Sequence, residues 1–180
     1  MSASIQIHDK KFVPFISEAE IDEIITGLAD RLNADFAGKN PLFIGVLNGS
    51  FMFVSDLMKK MTIDLELSFV KFESYHGTVS SGAVNELIGL SVELNNRHVI
   101  ILEDIVDTGN TMENLLGFTR IEEPLSVSIV TLLHKPDVFN KKYKLDYVGK
   151  NIPNKFVVGF GLDYNELGRN LKSIYQLADE

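Results

Sequence analysis

The chain predicts an α/β fold with a central, mostly parallel twisted sheet flanked by helices. Three observations carry this. Short continuous apolar runs, such as "LFIGVL" (42–47) and "HVIIL" (98–102), read as strands buried on both faces. Amphipathic segments of helical period alternate with them along the chain. Neither an internal repeat nor a linker divides the 180 residues, a length that suits one domain with a proper core.

Residues 17–40 predict the first helix. Ser17 and Glu20 form a capping box, Ile21, Ile24, Ile25, Leu28 and Leu32 recur at helical spacing, and Gly38 suits the stop. After the strand 42–47, "NGS" turns the chain into a second helix over about 51–60. In 63–72 the residues Ile63, Leu65, Leu67 and Phe69 alternate with Asp64, Glu66 and Ser68, the pattern of a half-buried strand. Residues 74–86 have no period and are rich in Gly and Ser, as in a mobile loop or hairpin. A strand near 87–92, the strand 98–102, a helix over about 111–119 and strands at 127–133 and 156–160 complete the series.

Composition narrows the function. The chain is 45% hydrophobic and 23% charged, as in ordinary globular proteins. It has no cysteine, so disulfide and thiolate chemistry are excluded. The start "MSASIQIHDK" lacks the apolar core of a signal peptide, and no run reaches membrane-spanning length. A cytoplasmic protein with no membrane partner is expected, and the Asn48-Gly49-Ser50 sequon reads as coincidence. The net charge of −8 argues against a nucleic-acid partner, which needs a basic face. The four histidines show no ligand spacing, which argues against zinc or iron.

The chemistry concentrates in "VIILEDIVDTGNTM" (99–112). Glu103, Asp104 and Asp107 bring three negative charges to the mouth of a buried strand, where they repel one another unless a cation or a ligand offsets them. In open α/β sheets ligands bind beyond the carboxyl ends of the strands. Thr108, Gly109 and Thr111 form a small-residue turn before a helix, a seat for phosphate built from backbone N–H groups. It is not the GxxxxGK[ST] loop, and "GFG" at 159–161 lacks the third glycine of a dinucleotide site. With no basic residue, the turn suits one monophosphate. Glu103 and Asp104 could accept from sugar hydroxyls or ligate Mg²⁺.

The segment "VIILEDIVDTGNT" resembles the signature of the type I phosphoribosyltransferases: an apolar strand, two acidic residues, two apolar ones, then D-[TS]-G-x-T. Segments 46–57, 72–82 and 134–171 are similar to the hypoxanthine–guanine branch of that family, and the resemblance covers about residues 42–175. It implies a single domain over 1–180, with a core at about 42–135 and a small hood from the chain ends, parts of 1–16 and 136–180. The implied reaction moves the phosphoribosyl group of 5-phosphoribosyl 1-pyrophosphate (PRPP) to hypoxanthine, with guanine as a second acceptor.

The resemblance also implies roles. Asp107 faces purine N7 as base, with its pKa raised by burial and by Glu103 and Asp104. Glu103, Asp104, Asp107, Thr108, Gly109, Asn110 and Thr111 bind PRPP, while Asn48, Gly49 and Arg169 bind pyrophosphate. Lys135, Phe156, Val157 and Asp163 bind the purine: Lys135 donates to the 6-oxo group and Phe156 stacks under the ring. Glu103, Asp104 and Asp163 hold Mg²⁺. Ser74 and Tyr75 open a lid, and the assembly is a homo-oligomer, dimer or tetramer. One departure stands out: Asn48 replaces the family's usual lysine in Leu-Lys-Gly, removing a positive charge near the leaving group. Two alternatives stay open, another base such as xanthine, guanine or a pyrimidine, and a ligand-sensing regulator on the same fold.

Overall fold

The computed structural model describes residues 3–73, 85–88 and 92–178, with backbone alone for 72, 73 and 85–88. Five strands run parallel in the larger sheet: β3 (Leu42–Leu47), β4 (Glu66–Glu73), β6 (His98–Val106), β7 (Ser126–His134) and β8 (Tyr147–Asn151). At its edge β5 (Asn85–Ile88) pairs antiparallel with β4, giving the order β5-β4-β3-β6-β7-β8. Helix α1 (Glu18–Asp35) and α2 (Phe51–Met58) cover one face. There Ile21, Ile25, Leu28, Phe53 and Leu57 pack on Phe43, Ile100, Leu102 and Val130. Helix α3 (Asn110–Ile121) covers the other, with Met112, Leu115 and Leu116 against Leu42, Ile44, Val99, Ile101 and Ile129. Cover on both faces is why the central strands are apolar throughout.

From β3 the chain leaves toward β4 on one side, whereas β6, β7 and β8 build the sheet on the other. The carboxyl ends of β3 and β6 therefore flank a crevice, the position where such sheets bind ligands. A second, antiparallel sheet is drawn from both chain ends: β1 (Ile5–Ile7), β2 (Lys10–Ile16), β10 (Ile174–Leu177) and β9 (Val157–Val158), in that order. Ile7, Phe12, Val158 and Tyr175 form its own small core.

Several elements differ from the sequence expectation. Strand β6 does not stop at Leu102 but continues through Glu103 and Asp104 to Val106, because β7 keeps pairing with it as far as His134. The strand expected over 156–160 shrinks to Val157–Val158, since Gly159, Phe160 and Gly161 all have positive φ and turn the backbone. Strand β4 begins at Glu66 rather than Ile63. The strand expected near 87–92 is β5, displaced toward the amino end. Helix α1 ends at Asp35, before left-handed Gly38. Strands β1, β2, β8 and β10 had no sequence counterpart. Ser74 and Tyr75, and most of the Gly- and Ser-rich segment, lie outside the described residues.

Candidate active site

Successive strand residues point to opposite faces, so Glu103 and Asp104 diverge. Asp104 faces the α1–α2 side and is only 7% exposed. Its Oδ1 accepts the Ile105 N–H at 2.8 Å. A Cβ on Gly49 would fall on Asp104 Oδ2, and one on Gly161 would fall on the Gly49 carbonyl, so both positions need glycine. Burial pushes the Asp104 carboxyl up to about 6, against the lowering pull of the Ile105 N–H and of Arg169. Glu103 faces α3, and its Oε2 is enclosed without a hydrogen-bond partner. Burial, and then the Asp104 charge, hold its carboxyl well above the ordinary range.

Glu103 joins Asp107, Thr108, Gly109, Asn110 and Thr111 around a pocket of about 90 Å³ at the start of α3. Gly109 is the helix N-cap, with φ of 84° and no side-chain cap, so the N–H groups of the first turn stay available to a ligand. Its carbonyl accepts the Glu113 N–H at 3.0 Å and the Tyr143 hydroxyl at 2.7 Å. Burial, with Glu113 and Glu103 nearby, pushes the Tyr143 hydroxyl up to about 12, so it remains a donor at neutral pH.

Asp107 departs from expectation. Its side chain is 46% exposed, not buried, and its Oδ2 lies 3.0 Å from Nζ of Lys135. The crowding expected around Asp107 falls on Glu103 and Asp104 instead. Lys135 itself is buried at 7% exposure, held by its own N–H to the Val106 carbonyl at 3.0 Å. A buried lysine cation without its carboxylate would be costly, so Lys135 depends on Asp107.

Across the crevice, Phe156 leaves 46% of its surface open. Its edge is fixed by Tyr164, 5.8 Å away at 83°, and by Phe12 at 6.3 Å. Val157 is buried in β9 and pairs with Gln176. Arg169 binds Asp163 Oδ1 at 2.7 Å and donates to the Gly161 carbonyl at 2.9 Å. Asp163 also accepts the Glu166 N–H at 2.8 Å. The Leu47–Asn48 peptide bond is cis, and Asn48 and Gly49 directly follow the end of β3.

The structure thus gathers Gly49, Asp104, Asp163 and Arg169 into one corner, and Glu103 with 107–111 into another, with Lys135 on Asp107. It does not gather Glu103, Asp104 and Asp163: among the described residues no three potential metal ligands converge. A Mg²⁺ fits in a different way. The donors are all carboxylate oxygens, one of them the unpartnered Glu103 Oε2, and this ion is commonly held by one or two carboxylates plus substrate phosphates. Sequence reasoning missed Gly161, Tyr143 and Tyr164. Gly161 was visible in "GFG" two residues before Asp163; the two tyrosines carried no signal.

Residues 17–165 match the family model for the phosphoribosyl transferase domain. The chain is 43% identical over 166 residues to a hypoxanthine-guanine phosphoribosyltransferase of Streptococcus pneumoniae, covering 92% of each. It is 41% identical over 166 residues to one of Staphylococcus aureus, covering 92% of this chain and 93% of that one. A crystal structure of a hypoxanthine phosphoribosyltransferase from Staphylococcus aureus superposes with a TM-score of 0.87 at 40% identity, over 92% of this chain and 91% of that one.

Proposed function

The chain belongs to the phosphoribosyl transferase family, and from that premise we propose that it salvages 6-oxopurines. It transfers the 5-phosphoribosyl group of PRPP to hypoxanthine, and also to guanine, releasing pyrophosphate. The observation that carries this reading is the Lys135–Asp107 pair, donor and acceptor 3.0 Å apart at one spot. In a 6-oxopurine, O6 and N7 lie side by side on one edge. Lys135 donates to O6, while Asp107 accepts the N7 proton as N9 forms its bond to the ribose C1 and the bond from C1 to pyrophosphate breaks. Adenine offers an amino group where Lys135 has only donors, so it is a poor acceptor.

Phe156 supplies the stacking face and Val157 the backbone edge contacts. Gly49, Asn48 and Arg169 receive the pyrophosphate; the guanidinium fork suits phosphate oxygens. The turn Asp107–Thr111 seats the 5-phosphate. Glu103 at the phosphate corner, and Asp104 with Asp163 at the other corner, are the carboxylates that would hold Mg²⁺, which would supply positive charge against the phosphate oxygens. We place the protein in the cytoplasm as a homo-oligomer, dimer or tetramer. Among the described residues no helix is long and apolar enough to cross a membrane, and Ile121 and Leu125 are exposed apolar side chains suited to an interface.

The test is a panel of free bases with PRPP and Mg²⁺. Hypoxanthine should give inosine monophosphate and guanine its monophosphate, with adenine nearly inert. No turnover of any 6-oxopurine would end this reading.

A further inference from the structure

The β7–β8 connector touches the phosphate turn twice. It leaves Lys135, which holds Asp107, and the N–H groups of Val138 and Phe139 fold it back onto the Lys135 carbonyl at 3.3 Å. It then lies against Gly109, where a Cβ would collide with the Tyr143 hydroxyl, the Lys141 stem and the Phe139 ring. Lys141, 15% exposed at its side chain, is pinned to Glu113 Oε2 at 2.6 Å. Phe139 and Tyr143 meet edge to face at 5.3 Å, and His134 braces Phe139 at 5.2 Å. None of these side chains is among those lining the pocket.

The Gly109 carbonyl and the Asn110 N–H belong to one peptide plane, and in a trans peptide they point in opposite directions. That carbonyl is held by the Tyr143 hydroxyl at 2.7 Å together with the Glu113 N–H at 3.0 Å, and Asn110, on the other side of the same peptide, lines the pocket. We propose that Tyr143 is a positioning residue, its hydroxyl aiming the Asn110 N–H at the 5-phosphate of the substrate. This deepens the phosphoribosyl reading and rests on it. Because Lys135 and Tyr143 share one connector, the base corner and the phosphate corner are set by the same short segment.

Tyr143→Phe removes the hydroxyl and keeps the ring packing. One neutral hydrogen bond corresponds to about a five-fold loss, so the KM for PRPP should rise about that much. The KM for hypoxanthine and kcat should change less than about two-fold. Calorimetric affinity for ribose 5-phosphate should fall by the same factor as PRPP. That second readout needs no turnover, so a wild-type protein that binds ribose 5-phosphate but is inactive would sink the proposed reaction and spare this inference. Unchanged ribose 5-phosphate affinity, or equal loss for both substrates, would overturn it. Should Tyr143→Phe prove unfolded, Lys141→Met, which frees the connector from Glu113, must weaken ribose 5-phosphate at least about two-fold; no change there overturns it equally.

Discussion

Two acidic stations share the end of β6, and their surroundings are opposite. Glu103 and Asp104 are enclosed, one with an unpartnered oxygen, and Arg169 relieves Asp104 only in part because it is committed to Asp163. Asp107, three residues on, is wet and neutralised by Lys135. Burying a carboxylate without a cation lowers stability; a buried lysine that keeps its carboxylate avoids the corresponding cost. The contrast separates two jobs. The enclosed pair waits for a cationic or hydroxyl-rich ligand, whereas the Lys135–Asp107 pair already balances its charges and offers a donor and an acceptor side by side to a base.

The largest effect should come from Asp107→Asn. General acid–base catalysis is typically worth a factor of about 10²–10⁴, so kcat should fall about 10³-fold with affinities nearly unchanged. An unaltered kcat would make Asp107 a turn residue like any other. Lys135→Met comes next. Loss of a charge-assisted hydrogen bond of about 1.5–3 kcal/mol should raise the purine KM roughly 10- to 100-fold. Steady-state titration of each substrate checks whether PRPP is spared, and equal losses would blur the two stations into one. Phe156→Leu should raise the purine KM about five-fold, since aromatic pairing adds about 1 kcal/mol beyond area. Last, Lys59→Met removes a pair with Asp56 outside both stations. Its stability change in urea should stay under about 0.5 kcal/mol; a larger one would mean that exposed pairs matter here more than the contrast allows.

Much of this was legible in the sequence because local and global signals agreed. Ser17 does cap α1, its oxygen accepting the Glu20 N–H at 3.2 Å, and "LFIGVL" is β3 residue for residue. The small antiparallel sheet was not legible as strands. Pro14 sits inside β2, and proline ordinarily demotes a strand; it is tolerated opposite Tyr175, beside a register shift in β10. β8, "YVGKN", is short and contains Gly149, needed because a Cβ there would strike Ile24 and the Leu132 carbonyl. In the site, the acidic residues and the turn were found from spacing, but their division between two faces was not. That division follows from β6 running on through Val106, which depends on β7 alongside it and so lies beyond any local pattern.

The central claim is that Glu103 and Asp104 burden the ligand-free fold and are kept for what they bind. Asp104 has an ordinary value of 3.8 and sits at about 6 in the folded protein. A raised acid stabilises the fold while protonated, below about pH 4, and loses that contribution as pH rises through about 6. The loss is at most about 3 kcal/mol, and Glu103, also raised, acts in the same direction. The decisive measurement is thermal melting of ligand-free wild-type protein and Asp104→Asn from pH 4.5 to 7.5. At pH 7.5 the variant should melt higher by roughly 5 °C, with the gap closing toward pH 4.5. A variant that melts at or below wild type at pH 7.5, with a gap indifferent to pH, would contradict the account.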